Sequence, residues 1–191
     1  ENLSFFTRNS KLIVSGNLDE ILNAKQNIIT PLRFESSLFK LAAKDKKTVV
    51  LPESEDERIL KASEILLKSG AVNLILLGDE NEVKFDAEKL GANLNGARFI
   101  NLEKNEYADR LTAALFEARK SKGVSLDQAR ELVRDRTYFA TMMVQEGLAD
   151  AMVSGANTTT AHTIRPALQI IKTRRLGADD RNRPRDPPPR Q

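Results

Sequence analysis

Four short apolar runs, Thr48-Val-Val-Leu51, Asn73-Leu-Ile-Leu-Leu-Gly78, Ala97-Arg-Phe-Ile-Asn-Leu102 and Ala151-Met-Val-Ser154, are separated by segments with helical spacing. This alternation constrains the fold more than any other feature. Strands that are continuously apolar need cover on both faces, and intervening helices supply it in a layered αβα arrangement around a mostly parallel sheet. Ser36 to Lys44 reads as an amphipathic helix with Leu38, Phe39, Leu41 and Ala42 inward. Ser54-Glu-Asp-Glu57 has the form of a capping box opening the next helix. Ile59, Ala62, Ser63 and Leu66 follow at helical spacing, and Gly70 stands where a left-handed cap would end it. A further helix runs to Leu90. Tyr107 to Lys120 places Leu111, Ala114, Leu115 and Ala118 on one face, Ser125-Leu-Asp-Gln128 is a second capping box, and Arg136 to Glu146 is the next helix. No repeat of fixed period suggests a solenoid.

The last strand leads into the most informative turn, Ser154-Gly-Ala-Asn-Thr-Thr-Thr-Ala-His-Thr-Ile-Arg165. Gly155 permits a sharp turn, and backbone N–H groups at the start of the following helix suit an anion. Thr158, Thr159, Thr160 and Thr163 add hydroxyls, and Arg165 adds a planar cation able to grip phosphate. From the residues alone, the threonines read either as helix caps or as donors to a ligand. Arg58 reads as a cation near the carboxyl edge of the sheet or as the partner of a nearby carboxylate such as Glu55. Arg119, beside Lys120 and Lys122, reads as a ligand contact or as helix-end stabilisation. The acidic run Glu53 to Glu57 is explained by capping and the helix dipole rather than by magnesium.

The chain of 191 residues has no cysteine and one histidine, which excludes disulfides and thiolate chemistry and argues against a transition-metal cluster. There is no G-x-x-x-x-G-K-[ST] loop and no G-x-G-x-x-G turn. The net charge of +3 sits entirely in residues 174–191, where six arginines face three aspartates; the remainder carries 24 basic and 24 acidic residues. With Pro184, Pro187, Pro188 and Pro189, that tail is expected to be disordered, and a nucleic-acid function is not expected of it. No apolar run is long enough to span a bilayer and no signal peptide is visible, so neither a membrane nor nucleic acid is an expected partner, and a cytoplasmic location is expected.

The stretch Ser154-Gly-Ala through Thr163-Ile-Arg-Pro-Ala-Leu-Gln-Ile-Ile-Lys-Thr173 resembles the S-G-A…T-[ILV]-R-P-A-x-Q-I-[IV]-K-T signature of phosphotransacetylases. Three further matches precede it in family order: Val49-Val-Leu-Pro-Glu-Ser-Glu-Asp-Glu-Arg58, Glu117-Ala-Arg-Lys-Ser-Lys-Gly123 and Tyr138-Phe-Ala-Thr-Met-Met143. The resemblance covers roughly Thr30 to Thr173. It implies an α/β fold like one half of the isocitrate/isopropylmalate dehydrogenase-like catalytic domain of that family. It also implies reversible acetyl transfer between coenzyme A and phosphate, serving acetate metabolism, with acetyl-CoA and phosphate as substrates and no separate cofactor or metal.

By the same resemblance Arg119 and Arg165 are implicated in binding coenzyme A or its phosphates, and Ser154 matches the family serine that forms the turn and lines the site; Thr159, Thr160 and Arg58 are expected to complete the substrate contacts from their places in the turn and at the sheet edge. The chain departs from the family where Thr158 replaces a frequent histidine and His162 replaces Asp or Asn. His162 then reads as a phosphate donor or as a helix-start residue with a partly exposed ring.

The catalytic Ser-Arg pair and aspartate of the family belong downstream of the I-K-T motif, so no catalytic residue is assigned and an N-terminal part of the catalytic domain is expected. Residues 1–29 are expected to end a regulatory region or to form an extension, with a strand at Lys11 to Asn17, a helix at Leu18 to Lys25 and a linker from Gln26 to Pro31. Residues 174–191 are expected to be foreign to the family. A homo-oligomer is expected of the whole protein. The alternatives are an acyl-CoA-sensing, oligomerising module like those fused to malic enzymes, and a butyryltransferase with a wider acyl pocket.

Overall fold

The computed structural model describes residues 31–171 in full and, before them, the backbone of two strands; the expectations for residues 14–30 and for the tail after residue 171 lie outside the described residues. The two strands, β1 (Ser4–Thr7) and β2 (Ser10–Ile13), form an antiparallel pair with Phe5 in register with Leu12. The first of them was not expected from the sequence.

The body is an α/β layered unit. Its elements are α1 (Pro31–Lys44), β3 (Thr48–Leu51), α2 (Glu57–Ser69), β4 (Asn73–Leu77), α3 (Glu80–Lys89), β5 (Arg98–Ile100), α4 (Ala108–Arg119), α5 (Leu126–Val133), α6 (Arg136–Gln145), β6 (Ala151–Met152) and α7 (Thr160–Ile170). The four strands pair in the order β5-β4-β3-β6, all parallel. The chain therefore steps outward from β3 to β5 and then returns to the other side of β3. That reversal makes the β3/β6 boundary the switch point of the sheet, the place where open α/β folds collect ligands at the carboxyl edge.

Period-two alternation sends successive strand residues into two cores. Leu51, Leu74 and Leu76 pack with Leu60 of α2 and with Val83 and Ala87 of α3. Val50, Ile75 and Leu77 join Leu111 and Leu115 of α4, Phe139 and Met142 of α6 and Ile170 of α7 on the other face. Each fully buried leucine or phenylalanine contributes roughly 1.5–3 kcal/mol, so both helical layers are firmly seated.

Three local expectations are corrected and two hold. The capping box at Ser54 does not form: Asp56 is the N-cap of α2, accepting from the Arg58 N–H, while the Ser54 hydroxyl donates to the Leu77 carbonyl at 2.5 Å. The left-handed cap at Gly70 is present, with φ of 62°. On α2 the buried positions are Leu60 and Ser63, while Ala62 is exposed. Helix α1 begins at Pro31, a position where the missing proline N–H costs nothing, and Leu38 and Leu41 are exposed rather than inward. The Ser125 box forms as read, with Ser125 accepting from the Gln128 N–H and Gln128 returning the bond. No helix among the described residues is long and apolar enough to cross a membrane.

Candidate functional site

The turn between β6 and α7 has the anion-holding geometry expected of it, and its anion comes from within the chain. Glu53, just past the end of β3, points its carboxylate into the turn. Its Oε2 accepts from the N–H groups of Gly155 at 2.7 Å and Ala156 at 2.9 Å, and from the Ser154 hydroxyl at 3.3 Å. Its Oε1 accepts from the N–H groups of Asn157 at 2.7 Å and Thr158 at 2.8 Å, and from the Thr158 hydroxyl at 3.0 Å. Gly155, at φ 112°, adopts a backbone that a side chain would strain. Burial pushes the Glu53 carboxyl up, but the four backbone donors outweigh it and hold the group at about 2, so it is ionised near neutral pH.

Arg58 closes the assembly from α2. Its guanidinium pairs with Asp56 at 2.7 Å and donates to the Ala156 carbonyl at 2.6 Å. Asp56, rather than Glu55, is thus its carboxylate partner. Glu55 instead pairs with Arg136, which also reaches the Pro52 carbonyl at 3.4 Å.

The turn threonines divide their work. Thr159 is the N-cap of α7, accepting from the His162 N–H at 3.3 Å. Thr158 shares a hydroxyl contact with Thr163 at 3.0 Å, and Thr160, the first helical residue, is exposed. The His162 ring is half-buried and lies 2.9 Å from the Asp135 carboxylate, which also caps α6 by accepting from the Thr137 and Tyr138 N–H groups. The helix-start reading of His162 is the one the geometry supports, and Asp135 is a partner that sequence spacing did not reveal.

Arg119 and Arg165 both lie in the neighbourhood of the Tyr138 phenol, beside α7. Gln169 accepts from Arg119 at its backbone carbonyl, at 3.4 Å, and from the Tyr138 hydroxyl at its side-chain oxygen, at 2.8 Å. Arg165 lies one turn before Gln169 and so shares its face. Burial pushes the Tyr138 phenol up, while the positive charges of Arg165 and Arg119 draw it back. Arg165 is exposed and has no carboxylate partner among the described residues. The expected residues therefore form two groups. Ser154 and Arg58 belong to the turn, Arg119 and Arg165 to the basic flank, and α7 connects them, with Thr159 and Thr160 at its start.

A separate cleft of about 1020 Å³ opens at the carboxyl ends of β4 and β5, beside Gly78, Asp79, Asn101, Arg130 and Arg134. It contains none of the expected site residues. Its arginines are engaged, Arg130 with Asp127 at 3.3 Å and Arg134 with Glu131 at 3.1 Å.

An open parallel sheet with an anion-holding turn at its switch point defines a layered α/β protein of the kind that collects ligands at that edge. The chain belongs to the phosphate acetyl/butyryl transferase family: the profile described as "Phosphate acetyl/butaryl transferase" matches residues 33–178. It is 54% identical over 157 residues to a phosphate acetyltransferase of Helicobacter pylori, covering 82% of this chain and 30% of that protein. It is 46% identical over 154 residues to the phosphate acetyltransferase of Nitratidesulfovibrio vulgaris, covering 81% of this chain and 22% of that protein. Among solved structures, a phosphotransacetylase from Streptococcus pyogenes superposes with a TM-score of 0.71 at 38% identity, over 76% of this chain and 44% of that one. The EutD phosphotransacetylase from Staphylococcus aureus gives 0.66 at 40% identity, over 74% and 44%. The chain thus spans less than half the length of these relatives.

Proposed function

We infer that this chain supplies the coenzyme A-binding part of a phosphate acetyltransferase, which moves acetyl reversibly between coenzyme A and inorganic phosphate. The observation that carries this reading is that Arg119, which donates to the Gln169 carbonyl, and Arg165, which has no carboxylate partner among the described residues, both lie near enough to the Tyr138 phenol to act on it electrostatically. Both substrates are anionic, and acyl transfer passes through a tetrahedral oxyanion, so cationic donors must hold phosphates while a base takes the thiol proton. Arg119 and Arg165 hold coenzyme phosphates. The base is assigned to the part of the family fold that this chain does not span. The whole protein acts in the cytoplasm as a homo-oligomer, with acetyl-CoA, acetyl phosphate and phosphate as its small-molecule partners.

The test is calorimetric binding of coenzyme A to the chain and to Arg165→Ala, beside an assay of thioester formation from acetyl phosphate. A charge-assisted phosphate contact is worth about 1.5–3 kcal/mol, so the substitution should weaken binding about tenfold or more. Equal affinities would refute the assignment of Arg165, and turnover by this chain alone would refute the location of the base.

A further inference from the structure

A turn built from four successive inward N–H groups is ordinarily a seat for a ligand anion, and here the seat is taken. Glu53 is 3% exposed and accepts all four of those groups together with two hydroxyls. A phosphoryl group placed at the same point would overlap the carboxylate and meet a like charge with no N–H left to receive it. Arg58 fastens the outside of the same turn through the Ala156 carbonyl, so the loop is held from both sides without any ligand.

We propose that Glu53 is a positioning residue: a built-in anion that fixes the β6–α7 turn in its ligand-ready shape and keeps phosphate out of it, directing substrate phosphates to the Arg119–Arg165 flank. This deepens the coenzyme A reading above and rests on it for the destination of the phosphates. The exclusion itself depends only on the turn. Asn157 and Thr158 lead into the Thr159 cap, so the direction in which α7 starts, and with it the placing of Arg165, follows from the carboxylate.

The experiment uses the 191-residue chain and has two arms. In the first, inorganic phosphate is titrated into the unaltered chain while backbone amide and arginine side-chain resonances are followed. The Gly155, Ala156, Asn157 and Thr158 amides should keep their shifts while the Arg119 and Arg165 guanidinium signals move. Displacement of the four amides by phosphate would overturn the proposal.

In the second arm, Glu53→Ala empties the seat. Its melting temperature should fall by about 10 °C, as expected for several buried donors left unpaired. Millimolar formate or phosphate should then recover at least half of that loss saturably, while the unaltered chain gains less than about 2 °C in the same solutions. A variant that folds but gains nothing from either anion would overturn the proposal, because a merely structural glutamate would give that result. If the variant folds in neither anion, the first arm decides. Coenzyme A binding is measured alongside: its absence in the unaltered chain would defeat the functional reading, whereas the amide and rescue results would stand.

Discussion

Replacing Gly78 with alanine isolates a single close approach beneath the site. Gly78 follows β4, donates to the Ile100 carbonyl at 2.9 Å, and lacks the positive φ that would forbid a side chain. At such a backbone, glycine to alanine ordinarily stabilises by about 0.4–1 kcal/mol through the unfolded chain. The surroundings reverse the sign. An added Cβ would lie 2.9 Å from the Ser54 hydroxyl oxygen and 2.9 Å from Val83 Cγ2. Neither atom is free to retreat, since Ser54 is 1% exposed and bonded to the Leu77 carbonyl, and Val83 is a stiff, buried β-branched residue of the core. Overpacking of this kind costs about 1–3 kcal/mol, and weakening the Ser54 bond adds about 1 kcal/mol. After the unfolded-state gain, a net loss of about 2–3 kcal/mol remains, or about 6–9 °C in melting temperature for a domain of this size.

The assay is thermal and urea unfolding of Gly78→Ala, Ser54→Ala and the double variant. Ser54→Ala removes one of the two obstructing atoms, so the pair should couple by at least about 1 kcal/mol, well above the additivity expected of distant sites. A Gly78→Ala chain that melts at or above the parent temperature would refute the reasoning, as would strict additivity.

Acid should weaken the fold through Glu53. Its folded value of about 2 lies below the ordinary 4.5, so its stabilisation is complete above about pH 4.5 and drains away as pH falls toward 2, amounting to about 3 kcal/mol. Asp56 adds in the same direction, since the Arg58 hydrogen bonds, against opposing desolvation, hold it at about 2. Urea midpoints taken from pH 6 to pH 2.5 should therefore fall more steeply in the parent than in Glu53→Gln, and parallel profiles would count against the buried-anion account. Ser125→Ala should cost about 1 kcal/mol by removing the hydroxyl half of the α5 capping box, read as a drop of about 3 °C. An unchanged midpoint would mean that the box is idle.

The layers, the parallel sheet and most element boundaries were legible because they depend on local period and local caps. The Ser125 box formed because no distant group competes for its hydroxyl. The equally well-formed pattern at Ser54 failed for the opposite reason: the Leu77 carbonyl, 23 residues away, takes the hydroxyl, and Asp56 steps in as cap. Glu53 was read as part of an acidic helix start for the same cause. Its partners lie 101 to 105 residues further along, and nothing in local spacing reports them. Tyr138 and Gln169 were visible as parts of the family motifs, but their bond spans 31 residues and needs α6 against α7. Arg119 and Arg165 were the residues that the resemblance could supply, and the fold brings them to one phenol. The Leu38 and Leu41 face of α1 had the right period, yet nothing among the described residues covers it.

The meeting of Glu53 with its turn follows from the register of the sheet. Val50 of β3 pairs with Met152 of β6 in a parallel ladder, so both strands reach the carboxyl edge level with each other. Three residues beyond Val50 stands Glu53, and three beyond Met152 stands Gly155, whose N–H is one of its two shortest backbone donors. The carboxylate thus arrives from the neighbouring strand at the height where the turn begins to present N–H groups, and no long loop has to be ordered to bring them together. An exposed acid and a loose turn would each have to be organised when a ligand bound; a buried acid in a closed turn leaves that ordering already done. The consequence is electrostatic as well as geometric. The most concentrated donors at the switch point are satisfied by the protein itself, which leaves Arg165 on α7 as a cation with no carboxylate partner among the described residues.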